Sequence, residues 1–262
     1  MAAVRVPGLM MLAMAAVYWH FTQDCPQGDF VALRRAGVAI DGGKKGGWQS
    51  FLTACSNYRV WMLFVTYGAC FGVEVFIHNM AAIYYVDHFG LSLAQAGMAA
   101  GSFGLLALFA RALGGWLSDK AAAKKGLDIR ATLLFALIAG EGIGLYAFAH
   151  APSVVLAIVA MLAFGLFTHM ACGATYALVP FIDRKALGGV AGVIGAGGNV
   201  GAVAAGFLMK GLGNAQATLS MLGVIVATTA LCALAVRFSP EHKAREAALR
   251  ESALAANNVI AN

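Results

Sequence analysis

The sequence predicts an all-α integral membrane protein, and three observations carry that prediction. Of the 262 residues, 61% are hydrophobic and only 11% charged, and the mean hydropathy of +0.78 lies outside the balance of a soluble domain. Apolar segments recur at about 59–86, 91–117, 130–149, 153–181, 186–210 and 215–237. Each is long enough to cross a hydrocarbon core ~30 Å thick, and each is followed by a polar break. The 32 glycines suit helices that pack closely in lipid, where no hydrophobic drive operates between them.

The chain opens with GLMMLAMAAVYWHF at 8–21, an apolar run of 14 residues behind Arg5 that is short for a free-standing span. It reads as the end of a transmembrane helix or as a secretory signal peptide. Trp19, His20 and Phe21 stand where small cleavage-site residues belong, which favours the helix. Residues 22–58 turn polar, with Pro26, a GGKKGG run at 42–47, and Arg34, Arg35, Lys44 and Lys45, the composition of a flexible basic linker. The six spans fill 59–238. After Phe238, Ser239-Pro240-Glu241 is a helix start, and Glu246 and Arg250 stand four apart, so 239–262 reads as a short surface helix.

Lysine and arginine in alternate loops set the expected orientation. Fifteen lie on one side, in the linker, the loops around 120–130 and 184–185, the tail and the span ends at Arg59 and Arg237, while only Arg5 and Lys210 lie on the other. The positive-inside rule places the linker and the C-terminus in the cytoplasm. The net charge of +6 is then a topology signal, and no nucleic-acid partner is expected. Five scattered cysteines, Cys25, Cys55, Cys70, Cys172 and Cys232, form no CxxC pair and predict neither a disulfide framework nor a zinc site. No cofactor and no enzymatic chemistry are expected.

Arg111 needs a reason. It lies eight residues before Asp119, or ~12 Å along a helix from the polar break, near the membrane midplane. An arginine at that depth costs roughly 2.5 to 3.5 kcal/mol on insertion scales and faces protein or a wet cavity. Gly97, Ala100, Gly104 and Ala107 precede it on the same face and leave space around it. It reads either as an anion site or as a structural arginine holding backbone carbonyls or an acid. On the span from 59, Tyr67, Phe71, Glu74 and His78 share one face, aromatic and ionisable together, as a pathway wall would be. On the span from 186, Gly188, Gly192, Gly195, Asn199, Ala202 and Gly206 form a stripe that reads as small-residue helix packing or as a backbone and amide surface for a small solute. Glu141, His150 and His169 read as structural.

GGWLSDK at 114–120, with KKG at 124–126 and Arg130, resembles the cytoplasmic loop motif of the major facilitator superfamily. Gly115, Asp119 and Lys120 then belong to the gating motif, with Asp119 capping a neighbouring helix. CPQGDF at 25–30, the run from Tyr67 to Gly104, FARALGGWLSD, ACGATYALVPFIDRKALGGVAG and GAGGNVGA at 195–202 resemble, in order, the nitrate/nitrite porter family, close to its plant and algal high-affinity members. The resemblance covers most of residues 20–238.

It implies the C-terminal six-helix bundle of a major facilitator fold, with 1–21 as the end of the last helix of an N-terminal bundle missing from this chain. It implies secondary active transport of nitrate or nitrite, with Arg111 as the nitrate-binding arginine, Tyr67 and Phe71 as aromatic contacts, and Gly197, Gly198 and Asn199 as a signature against the substrate. It also implies a plasma-membrane address and, as in some plant members, a single-span accessory subunit. One departure stands out: Ala107 occupies a position where relatives commonly carry an asparagine. A monoanion entering a negative interior costs ~2.3 kcal/mol per 100 mV, so proton symport is expected, with Glu74 and His78 as candidates for the proton. The residues alone leave open a facilitator for another small anion, and a short membrane protein that assembles or regulates without transporting.

Overall fold

A computed structural model describes residues 2–24, 28–37 and 47–260. The CPQ of the CPQGDF motif, with Cys25, and residues 42–46 of the GGKKGG run lie outside the described residues, as does the side chain of Arg250 with its expected pairing to Glu246. The chain divides into two compact units, Met1–Lys44 and Lys45–Asn262. In the first, α1 (Ala2–Phe21) and α2 (Phe30–Arg35) flank a loop in which the Phe30 amide donates to the Asp24 carboxylate at 2.9 Å.

The second unit opens with α3 (Gly47–Cys55), continues through α4 (Tyr58–Phe89), α5 (Leu93–Lys125), α6 (Ile129–Ala149), α7 (Val154–Leu178), α8 (Leu187–Leu212) and α9 (Ala215–Leu234), and closes with α10 (Pro240–Ile260). Six of these helices, α4 to α9, are long and apolar enough to cross a membrane, α7 and α8 each extended by a short 3-10 turn. Polar side chains start the helices where the sequence breaks. Asn57 accepts from the Arg59 amide, Ser92 and Gln95 form a reciprocal capping box, Ser153 accepts from Leu156, and Asn214 from Ala217. Gly90 ends α4 at φ 67°, a left-handed conformation that a β-carbon disfavours.

Helix α4 packs chiefly on α8, α5 on α7, and α6 on both α7 and α9. The α4–α8 seam is set by glycine. A β-carbon on Gly201 would stand 2.0 Å from the Gly68 carbonyl oxygen, so the two backbones touch with nothing between them. Phe103, Phe148 and Phe164 fill the interior between α5, α6 and α7, with ring centroids 5.5 to 5.6 Å apart for the two contacts through Phe164.

Two sequence expectations change here. The stretch read as a flexible linker contains α3, which buries Ala54 and packs on α8, where the Ser50 hydroxyl accepts from the Gly189 amide at 3.1 Å. On α8, Gly188, Gly192 and Gly206 of the stripe meet nothing within 4 Å of a built β-carbon and Gly195 meets the Tyr176 hydroxyl at 3.1 Å, while Gly189, Gly197, Gly198 and Gly201 make the closest contacts. In a helix this poor in bulk every face is small, so smallness alone does not mark the packed one.

Candidate functional site

The charged residues of the bundle meet at mid-height. Glu74 stands at the middle of α4 and Arg111 close to the middle of α5, so side chains 37 residues apart in sequence face each other across the α4–α5 contact. Arg111 Nη2 donates to both Glu74 oxygens at 2.6 Å. Its Nε is buried and makes no hydrogen bond among the described residues. The Arg111 side chain keeps 38% of its surface accessible and the Glu74 side chain 8%, so a buried carboxylate is held by an arginine side chain that stays partly exposed. Such a pair offsets part of the cost of burying two charges. The structural alternative for Arg111, pairing with an acid, is therefore realised, and part of the arginine stays exposed.

The backbone fixes where that side chain lies. Helix α7 approaches α5 so closely that a β-carbon on Gly173 would lie 1.9 Å from the Arg111 carbonyl oxygen. Arg111 Cζ lies 5.7 Å from the Phe71 ring centroid. Phe71 stacks on Tyr67 at 5.3 Å and 9°, and Tyr67 meets Tyr176 of α7 edge-on at 5.2 Å. Gly198 of α8 completes the wall, since a β-carbon there would come within 2.5 Å of Phe71 and 2.9 Å of Tyr67. The fold thus brings Arg111, Tyr67, Phe71 and Gly198 into one group. Gly197 instead packs on the Phe64 carbonyl. Asn199 is exposed, and its amide turns back to the Gly195 carbonyl at 3.4 Å.

His78 does not reach the Glu74 carboxylate. Its Nδ1 lies 2.8 Å from the Glu74 main-chain carbonyl and its ring rests edge-on against Phe103. The histidine beside the carboxylate is His169 of α7, read from the sequence as structural. Its Nδ1 lies 3.4 Å from Glu74 Oε2, its Nε2 3.1 Å from the Phe103 carbonyl oxygen, and its side chain is fully buried. Cys172 donates to the same Glu74 oxygen at 3.6 Å and lies 3.7 Å from Cys70, both thiols free and buried. Glu141 of α6 is fully buried, and neither carboxyl oxygen has a hydrogen-bond partner among the described residues. An ionisable residue in the middle of an apolar span is itself a functional signal, one that His169 and Glu141 carry in the sequence.

At one end of the bundle, Asp119 accepts from Arg130 in the first turn of α6 at 2.6 Å, and Arg130 also donates to Ser118 at 3.0 Å and lies over the Phe181 ring at 4.7 Å. Asp119 therefore reaches the start of its neighbouring helix through an arginine and caps no backbone amide. Lys120 sits 4.5 Å over the Trp116 ring, and Gly115 faces the Gly173 carbonyl at 3.8 Å from a built β-carbon. The tail joins the same end, Lys243 to Asp128 and Glu246 to Arg184, around a cavity of about 720 Å³. Among the described residues no cluster of histidine, cysteine, aspartate and glutamate could hold a metal ion.

Residues 2–182 match the family model of the Major Facilitator Superfamily. The chain is 39% identical over 201 residues to the High affinity nitrate transporter 2.5 of Arabidopsis thaliana, a match covering 77% of this chain and 39% of that one. It is 37% identical over 202 residues to the Nitrate transporter 2.2 of Chlamydomonas reinhardtii, covering 76% and 39%. It is 34% identical over 149 residues to the Nitrate/nitrite transporter NrtP of Picosynechococcus, covering 56% and 27%. The chain spans about two fifths of the length of the first two relatives.

Proposed function

Because the chain belongs to the major facilitator superfamily, we propose that its six-helix bundle forms the anion-binding side of a proton-coupled nitrate transporter, with nitrite as a further substrate. The observation that carries the reading is Arg111, a mid-span arginine with a partly exposed side chain and nitrogens left over from its acid partner. A planar guanidinium offers a flat oxyanion two parallel N–H donors, which a lysine ammonium does not. The stacked Phe71 and Tyr67 rings stand beside the guanidinium as one wall of the anion site. The printed names of the relatives, nitrate transporters of plants and algae and a nitrate/nitrite transporter of a cyanobacterium, support the substrate.

Substrate in this superfamily is held between two bundles at the midplane. We read the partly exposed side of the Arg111 side chain as the one turned toward that interface. The lysine and arginine distribution supports a cytoplasmic linker at 22–58 and a cytoplasmic tail at 239–262, and the family resemblance a plasma-membrane setting. Uptake of one anion is electrically favourable only with more than one proton, at ~2.3 kcal/mol per charge per 100 mV.

The test is transport in proteoliposomes holding the complete two-bundle transporter that contains this chain. Nitrate accumulates inside under an inward proton gradient, nitrite competes, and chloride does not. Movement of another anion with no effect of nitrate assigns a different substrate. No movement of any anion leaves an assembly or regulatory role.

A further inference from the structure

The hydrogen bonds around Glu74 do not balance without one more proton. A carbonyl oxygen only accepts, so the bond between His169 Nε2 and the Phe103 carbonyl places a hydrogen on Nε2. In a neutral imidazole Nδ1 is then a bare lone pair. That lone pair faces Glu74 Oε2, itself an acceptor, at 3.4 Å, and Nδ1 is buried with no hydrogen-bond partner. Two lone pairs so placed form a vacant seat for a proton. Filling it creates an N–H donor aimed at the carboxylate that Arg111 already holds.

We propose that His169 binds one of the coupling protons, and that its imidazolium takes over Glu74 and so releases Arg111 to bind the anion. The proposal rests on the transport reading above and names the residue through which proton and anion are linked. A solvent proton adds to the Nδ1 lone pair, Nε2–H stays on the Phe103 carbonyl, and the new Nδ1–H donates to Glu74 Oε2. Before protonation, Arg111 and Glu74 cancel, and the site has no net attraction for an anion. After it, the three groups carry one net positive charge, matched to one monoanion. The two ligands therefore bind with positive cooperativity, and each raises the affinity of the other by the same factor.

The groups facing this pair are accounted for on every element packed against α7. Arg111 comes from α5, Tyr67, Cys70 and Glu74 from α4, Cys172 and Tyr176 from α7 itself, and Glu141 from α6 with Thr168, Cys70 and Glu74 as its neighbours. His78 lies across the Phe103 ring, its own Nδ1 directed to the Glu74 main chain. His169 is the imidazole with a free nitrogen on the carboxylate.

Two measurements test this and separate it from the nitrate reading. In the protein in lipid nanodiscs with isotope-labelled histidine, magnetic resonance follows His169 from about pH 8 to about pH 5, the range in which imidazole titrates. The signal changes from a neutral Nε2–H ring to imidazolium, and Glu74→Gln abolishes that change. A ring that stays neutral throughout, or titrates identically in Glu74→Gln, overturns the proposal. Nitrate binding then reads the linkage. In the wild type the dissociation constant falls about tenfold per pH unit of acidification while His169 is neutral, one proton being taken up per anion. In His169→Gln, whose amide can keep the Phe103 contact, affinity stays at the weak alkaline value at all pH. A slope retained in His169→Gln refutes the role of His169, whereas a wild type that titrates His169 but binds no nitrate refutes the substrate instead.

Discussion

Gly173→Ala tests whether the α5–α7 contact sets the position of Arg111. The added methyl would sit 1.9 Å from the Arg111 carbonyl oxygen and 2.9 Å from its carbon, both main-chain atoms. A relaxed carbon to carbonyl-oxygen contact is about 3.3 Å, so the helices must part by roughly 1.4 Å along that line. Overpacking of this kind costs about 1–3 kcal/mol of stability. It also carries the Arg111 backbone away from Glu74 and Phe71, to which the guanidinium is tied at 2.6 Å and 5.7 Å. If one charge-assisted hydrogen bond to the anion is lost, about 1.5–3 kcal/mol goes with it, roughly a tenfold to hundredfold weaker dissociation constant. The assay is nitrate titration alongside thermal melting of purified protein in lipid. Gly188→Ala is the control, since nothing lies within 4 Å of its methyl, and it leaves both unchanged or slightly raises the melting temperature. Wild-type affinity and melting in Gly173→Ala would refute the positioning argument.

Glu74→Gln removes the charge that holds Arg111 back, so nitrate affinity rises at alkaline pH, its pH dependence flattens, and proton-driven accumulation disappears; binding and uptake measured on one preparation check the split. Phe71→Leu removes the ring beneath the guanidinium and half of the Tyr67 stack, and weakens nitrate binding severalfold, as expected from the ~0.5–2 kcal/mol of such contacts. Asp119→Asn breaks an ion pair whose acid is largely exposed while Arg130 keeps Ser118 and Phe181. Because the Arg130 side chain is only 8% exposed, the melting temperature falls by an amount between the ~0–1 kcal/mol of an exposed pair and the roughly 3–5 kcal/mol of a broken buried one, and the transport rate falls with binding intact.

The spans were legible because hydropathy, length and capping residues agree. Asn57, Ser92, Ser153 and Asn214 stand where the apolar runs begin, and each caps its helix. Tyr67 and Phe71 share a face because they stand four apart on α4, and Arg111 stands out as a charge deep in the apolar span of α5; that they meet across the two helices is in neither pattern. The partners of Glu74 were not legible, because they come from other helices. Spacing of four offered His78, but that ring turns back to the carbonyl one turn before it, and the neighbour of the carboxylate arrives from α7. Helix α3 was hidden by its shortness, since nine residues are too few to span a membrane and only Ala54 among them is buried, in packing that is chiefly against α8. The packed stripe of α8 was hidden by uniformity, because nearly every face of that helix is glycine or alanine.

The central claim is that the exposed part of Arg111 receives a flat monoanion. Nitrate binding to Arg111→Lys, in protein that inserts and melts as the wild type does, tests it most directly. The account predicts a loss of at least tenfold, since a lysine keeps the positive charge but has one nitrogen to share between Glu74 and the anion. Nitrate affinity equal to that of the wild type would contradict it.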